Sequence, residues 1–271
     1  HNINTLEIAQ YTIKNKKIPK EFDGYNIVQI SDLHSKSFGK NNIKLLQKIK
    51  YLNPDIIVIT GDLVDGENNN YDIALNFMKE LTKLYKVYYI IGNHEQKALI
   101  KKYKQEYIKY FEELNQIDFI NLDDDKVKIQ KNNSKINLYG LTVPYSCYKY
   151  LFDDKEITTI DSKFLEQKLG DLNKNEFNIL LAHTPFYFDE YEKWGADLTL
   201  CGHVHGGVVR LPFIGGLLSP DRKFFPKYDL GKYEKNNSTM IVSKGLGGSK
   251  VLIRINCKPE IVSIKLKSDI I

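Results

Sequence analysis

The chain has 271 residues, 42% of them hydrophobic, enough to bury a substantial core as one large domain or two small ones. Its net charge of +5 comes from 39 basic and 34 acidic residues that interleave, whereas a nucleic-acid binder gathers its cations on one element, so no specific nucleic-acid binding is expected. No stretch approaches the ~20 apolar residues of a membrane span, and three widely spaced cysteines, Cys147, Cys201 and Cys257, imply no disulfide framework.

The chain begins at His1 rather than Met, which is the pattern of a processed or truncated form. Loss of an export signal or anchor would make the protein membrane-associated or exported; otherwise it is cytoplasmic. The basic run from Lys14 to Lys20 admits two readings, a solvated strand end or a patch against anionic lipid.

Residues Tyr25–Ile30 then read as a strand and Ile43–Leu52 as an amphipathic helix. Asp55–Thr60 is a second strand, after which Ile73, Phe77, Met78, Leu81 and Leu84 fall on one helical face. Val87–Ile91 is a third strand, followed by a charged helix from about Gln96 to Leu114. Strands separated by helices of this length predict βαβ units and a largely parallel sheet. Lys126–Gln130 and Lys135–Tyr139 flank an Asn-Asn-Ser turn and read as a hairpin. A helix over Ser162–Leu169 leads to the strand Asn178–Leu181, a short helix around Trp194 and the strand Asp197–Leu200. Met240–Ser243, Lys250–Ile255 and Glu260–Lys265 complete the strands. The predicted fold class is α/β, an α+β sandwich with a second, more antiparallel sheet packed on the first and helices outside both. The whole chain, 1–271, reads as a single domain with its core over about 25–265.

Five apolar strands run into polar clusters: Ser31-Asp32-Leu-His34, Gly61-Asp62, Gly92-Asn93-His94-Glu95, Ala182-His183 and Gly202-His203-Val-His205. Ligand sites of open α/β sheets lie outside the carboxyl ends of the strands, so these clusters are placed to converge. Five of the six histidines lie in them, the sixth being His1. Taken singly, each cluster is also a plausible turn, helix cap or hydrogen-bonded loop histidine. Together, and at strand ends, they point to bound metal.

The ordered set Asp-x-His, Gly-Asp, Gly-Asn-His-Glu, His and Gly-His-x-His resembles the calcineurin-like metallophosphoesterase superfamily over about Tyr25–Ile264. The resemblance implies two packed mixed β-sheets flanked by helices in four layers. It implies hydrolysis of phosphate mono-, di- or pyrophosphate esters by water activated between two divalent metal ions. Asp32, His34 and His205 would hold the first ion, and Asn93, His183 and His203 the second, with Asp62 bridging both. His94 would be catalytic, stabilising or protonating the leaving oxygen. Glu95 or Asp65 would orient site histidines, unless they are ordinary loop or helix-start carboxylates. Oxygen and nitrogen ligands without thiolate suit Mn, Fe or Zn. Cys201 adjoins the cluster as a buried strand residue.

The stretch Gly202–Gly215, with Gly245-Leu-Gly-Gly248, is similar to the bacterial branch of membrane-associated phosphohydrolases and UDP-2,3-diacylglucosamine pyrophosphatases, with Val208 where that branch has Gln. This implies a lipid-linked or sugar-nucleotide phosphate ester as substrate, with peripheral membrane contact, ahead of a cyclic nucleotide or other soluble diester. Arg210–Tyr228, which includes Leu217, Phe224 and Phe225, is a flap for such a substrate or an ordinary loop over the sheet edge. A reading of another class, a catalytically silent metal-bound scaffold, usually requires a missing ligand or a replaced His94, and neither is found.

Overall fold

The computed structural model describes residues 6–67, 69–101, 103–148, 157–207, 210–211, 215–216, 226–248 and 257–269. From the N-terminus the elements run β1 (Glu7–Asn15), β2 (Asn26–Ile30), α1 (Ile43–Leu52), β3 (Ile56–Thr60), α2 (Asp72–Thr82) and β4 (Val87–Ile90). Helices α3 (Asn93–Ala98) and α4 (Lys104–Leu114) follow, then β5 (Ile120–Asn121) and the hairpin of β6 (Asp125–Lys131) and β7 (Ser134–Leu141). Next come α5 (Ser162–Leu169), β8 (Asn178–Ala182), α6 (Phe188–Trp194) and β9 (Leu198–Cys201). The two-residue strands β10 (Arg210–Leu211) and β11 (Gly215–Gly216) precede β12 (Gly231–Lys235), β13 (Ser238–Val242) and β14 (Glu260–Ser268).

Two mixed six-stranded sheets result, in the orders β1-β14-β2-β3-β4-β5 and β12-β13-β9-β8-β7-β6. Strands buried on both faces carry apolar side chains on both, and β3 shows the consequence. Ile57 and Ile59 join a core with Leu45 and Ile49 of α1 and Phe77 and Leu81 of α2. Ile56 and Val58 face the other way, into a core shared with Ile179 and Leu181 of β8 and Leu198 and Leu200 of β9. On the far side of the second sheet, Leu180 and Ala182 pack with Leu165 of α5 and Tyr191 and Trp194 of α6. The layers are therefore helix, sheet, sheet, helix, as expected.

Local chemistry sets the helix ends. In α5 the Asp161 side chain accepts from Phe164 N–H at 2.9 Å, and Gly170 ends the helix at φ +77°, so its bounds match the sequence reading.

Three expectations change. The helix predicted from Gln96 to Leu114 is two helices. Nine residues of continuous helix turn through about 900°, which would set Tyr107 on the side opposite Ala98. Both are buried, and the break at residues 99–103 lets both face inward. Leu84 lies beyond α2 and is exposed. The C-terminal strand β14 belongs to the first sheet, parallel to β1 and antiparallel to β2. The second sheet is the more antiparallel of the two, as expected, but this pairing is confined to its two edges, β12–β13 and β6–β7, while β7, β8, β9 and β13 run parallel. Periodicity names a strand but not its partner, which is why the sheet assignment missed. The strand predicted at Lys250–Ile255 and most of the flap, with Val208, Leu217, Phe224 and Phe225, lie outside the described residues.

In the basic run, Lys17 donates to Asp197 at 2.7 Å, at the start of β9 and so at the end of the sheet away from His203. Among the described residues no helix is long and apolar enough to cross a membrane.

Candidate metal centre

β2, β3 and β4 are parallel to one another, as are β8 and β9, so their carboxyl ends point to one edge of the sandwich. The loop after each begins at once. Asp32, His34, Asp62, His203 and His205 all have φ between +48° and +71°, a region uncommon for residues other than glycine. The other such residues among those described are Asn, Asp and one Ser, which tolerate it better in turns or lie beside the cluster. Five left-handed residues carrying the predicted ligands mark a site where backbone strain is held by its surroundings. The glycines before them are required by contact. A Cβ on Gly92 would collide with the Asp62 carboxylate, and one on Gly202 with Ser31 Oγ and the Asp32 carboxylate.

The side chains converge as two overlapping groups. Asp32, His34 and His205 form one set, Asp62, His183 and His203 a second, and His34, Asp62 and His94 link them, each with ligand atoms within 4.8 Å. His205 Nε2 is 3.7 Å from Asp32 Oδ1, and His34 Nε2 is 3.7 Å from Asp62 Oδ2. His183 Nε2 stands 3.1 Å from Asp62 Oδ2, an ion-pair approach and not an aligned hydrogen bond, since both atoms are buried without a hydrogen-bond partner. Asn93, at the start of α3, is buried beside His94. The seven predicted ligands and His94 are thus all buried at one edge.

The electrostatics follow from burial and mutual proximity. Burial works against the charge of Asp62, yet the imidazoles of His183, His94 and His34 outweigh it and hold the carboxyl well below its ordinary range. Burial pushes Asp32 up, with His183 opposing. For His183, burial opposes protonation, but Asp62 and Asp32 together raise it to about 10. Two carboxylates and several imidazoles gathered at a shared point, with Asp62 Oδ2 and His183 Nε2 buried without a hydrogen-bond partner, suit cations. Carboxylate, imidazole and amide donors without thiolate suit a divalent metal.

The supporting groups correct one expectation and add others. Glu95 makes its hydrogen bonds to main-chain N–H groups and not to the histidines. Its buried carboxylate accepts from the N–H groups of Asp62 at 3.0 Å, Leu63 at 2.6 Å and Gly92 at 2.9 Å, locking the loops after β3 and β4 together. Burial and the neighbouring Asp62 push its carboxyl up to about 8, against main-chain donors that favour the anion. Asp65 meets His94 Nδ1 through its main-chain oxygen, while its carboxylate Oδ1 accepts from Glu67 N–H at 2.8 Å. The main-chain oxygen of Thr60 lies 2.6 Å from His183 Nδ1, which turns Nε2 toward Asp62. The His203 N–H donates to the Asp32 carboxylate at 3.1 Å, joining the two sheets.

Sequence reasoning overlooked Gln29 and Tyr148. Gln29 Nε2 donates to Thr60 Oγ1 at 3.0 Å and across the sheets to Cys201 O at 2.9 Å. The amide of Gln29, set between Val28 and Ile30 in a strand buried throughout, was the available signal. The Tyr148 ring packs edge-on against His203, 5.1 Å between centroids. Nothing in its local pattern marks it. Cys201 is a fully buried strand residue, as expected.

Residues 25–207 match the family model described as calcineurin-like phosphoesterase. The chain belongs to that family. This phosphoesterase is 29% identical over 277 residues to YkuE of Bacillus subtilis, an uncharacterized metallophosphoesterase, covering 97% of the chain and 86% of that protein. It is 27% identical over 274 residues to an uncharacterized metallophosphoesterase of Aquifex aeolicus, covering 97% and 92%. A transmembrane protein with metallophosphoesterase domain from Danio rerio is 26% identical over 274 residues, covering 96% of the chain and 57% of that protein. The phosphoesterase is an enzyme that hydrolyses phosphoesters, and its Asp and His clusters suit divalent metal.

Proposed function

We propose that this phosphoesterase works as a single domain on phosphate mono-, di- or pyrophosphate esters with two divalent ions. Asp32, His34 and His205 would hold the first ion and Asn93, His183 and His203 the second, with Asp62 shared between the two sets. The observation that carries this reading is the place of Asp62, which belongs to both the His183–His203 group and the His34–His94 group. Bound there, two divalent ions would supply Lewis acidity for activating water and for offsetting phosphoryl charge. The chain's own residues supply the rest. Asp62 and Asp32 bring two negative charges against four positive, so a net charge of about +2 draws the phosphate into the rim. His94 has its Nε2 4.0 Å from Asp62 Oδ2 and protonates the departing oxygen. Glu95 keeps the loops after β3 and β4 in register while this happens.

For the substrate, the likeness of Gly202–Gly215 and Gly245–Gly248 to the membrane-associated branch supports an amphiphilic, lipid-linked or sugar-nucleotide ester. Mn, Fe and Zn all fit the donor set.

The test is metal content together with turnover of p-nitrophenyl phosphate, bis(p-nitrophenyl) phosphate and p-nitrophenyl phenylphosphonate under added Mn, Zn or Mg, for the parent and His94→Ala. Two ions per chain and turnover in the parent are expected, with His94→Ala slowing phenyl phosphate, whose leaving oxygen needs a proton, far more than these p-nitrophenyl esters. One ion per chain in an active enzyme, or phenyl phosphate turned over at the parent rate by His94→Ala, overturns the assignment. A matched amphiphilic and soluble ester pair then decides the substrate class, the amphiphile being preferred if the reading holds.

A further inference from the structure

An imidazole that gives a proton from Nε2 does so as the imidazolium and is left as the neutral Nδ1–H form. A main-chain carbonyl can only accept, so the contact between His94 Nδ1 and Asp65 O keeps Nδ1 protonated in both forms, and the proton given up is the one on Nε2, which faces Asp62. The position of one carbonyl thus selects the tautomer of His94. That carbonyl belongs to the short loop Asp65–Glu67, and the loop is fastened from two helices.

Lys97 lies three residues beyond His94, so both side chains leave the same face of α3 and reach the same loop. Its ammonium group pairs with the Glu67 carboxylate, and the lysine side chain is only 11% exposed. Lysine is seldom buried unless paired, and here the partner is a loop carboxylate. From α4, the Tyr107 hydroxyl accepts from Gly66 N–H at 3.2 Å. Gly66 itself, at φ +68°, packs so closely on the main-chain oxygen of His94 that a Cβ there would collide with it. The loop is seated against α3 on one side and anchored to α3 and α4 by polar contacts on the other.

We infer that Lys97 and Glu67, with Tyr107 as a second anchor, form a clasp that holds Asp65 O against His94 and fixes its Nδ1–H tautomer. None of the three touches the reacting atoms; they are positioning residues. The inference rests on His94 being the leaving-group acid of the proposed function.

The experiment compares Glu67→Gln, Lys97→Met and His94→Asn in the metal-loaded enzyme on p-nitrophenyl and phenyl esters of the same phosphoryl group. p-Nitrophenolate leaves without a proton, whereas phenolate benefits from one, so loss of an acid selectively slows the phenyl ester. His94→Asn is expected to slow the phenyl ester by about 10²-fold or more, and the p-nitrophenyl ester far less. Glu67→Gln and Lys97→Met are expected to slow the phenyl ester about tenfold, with the p-nitrophenyl ester within about twofold. Nitrogen-15 spectra of the His94 ring in the zinc-loaded protein give a readout independent of turnover. The parent should show the Nδ1–H form, and Glu67→Gln a mixture. Equal slowing of both esters in the clasp variants, or an unchanged tautomer, overturns the clasp. Equal slowing of both esters by His94→Asn overturns the acid assignment instead, and the ring spectra then decide the clasp alone. Glu67, partly exposed, is the variant that keeps the fold if Lys97→Met does not.

Discussion

The two sheets meet at one edge with different chemistry. Loops after β2, β3 and β4 supply both carboxylates, Asp32 and Asp62, together with His34, Asn93 and His94. Loops after β8 and β9 supply imidazoles alone, His183, His203 and His205. On the proposed reading the first sheet would provide the negative charge that draws cations, and the second the imidazoles that complete their shells. Neither half makes a centre by itself. Metal binding should report the packing of one sheet on the other as much as the identity of any ligand.

The sharpest way to break this contrast is Asp62→Asn, which removes the shared charge from the first sheet. Both ions should be lost and turnover should fall by more than about 10²-fold; two ions retained, by metal analysis, would end the bridging role. His183→Ala takes one imidazole from the second sheet. It should leave about one ion per chain, with turnover reduced by at least the ~10–100-fold that loss of a supporting group costs. Equal metal loss in the two variants would erase the distinction between the sheets.

Packing comes next. Leu200 of β9 lies fully buried in the core between the sheets. Leu200→Ala should cost about 2–5 kcal/mol in urea unfolding, and it should lower metal affinity although it touches no ligand. Unaltered metal affinity would mean that the two rims are held together by the ions and not by the core. Glu95→Gln loosens only the coupling of the loops after β3 and β4, and should weaken metal binding by about 10–100-fold in a titration.

The smallest effect is one of pH. In the metal-free protein His183 is raised from about 6.5 to about 10. A raised value stabilises the folded state fully below pH 6.5 and loses that contribution as pH rises through 10. Metal-free stability should therefore decline across this window, and His183→Gln should flatten the decline. Metal binding within the window should release protons into a weakly buffered solution; no release would place the proton elsewhere.

Much of the site was legible because its residue types are rare and its spacing is local. Six histidines, five of them just past apolar strands, leave few alternatives. Less legible was everything that depends on contact between distant segments. Glu95 reads as a helix-start carboxylate, and only the approach of β3 to β4 shows it receiving N–H groups from both loops. Asp65 reads as a carboxylate partner for a histidine, but its carbonyl makes the contact. Tyr148 and the Lys97–Glu67 pair carry no local pattern at all.

The same division holds for the fold. Hydrophobic period and cap residues determined that α1 and α5 are helices and that β2, β3, β8 and β9 are strands, because those signals arise from side chains a few residues apart. Which strand pairs with which, and that β14 returns to the first sheet, was decided in three dimensions. Backbone hydrogen bonding is indifferent to sequence, so only the joint burial of both sheet faces selects the partner. The left-handed backbone at Asp32, His34, Asp62, His203 and His205 belongs to the same class, since each loop is held there by groups from another strand. The sequence determined which atoms are available to hold cations. The tertiary structure decided that they share one point.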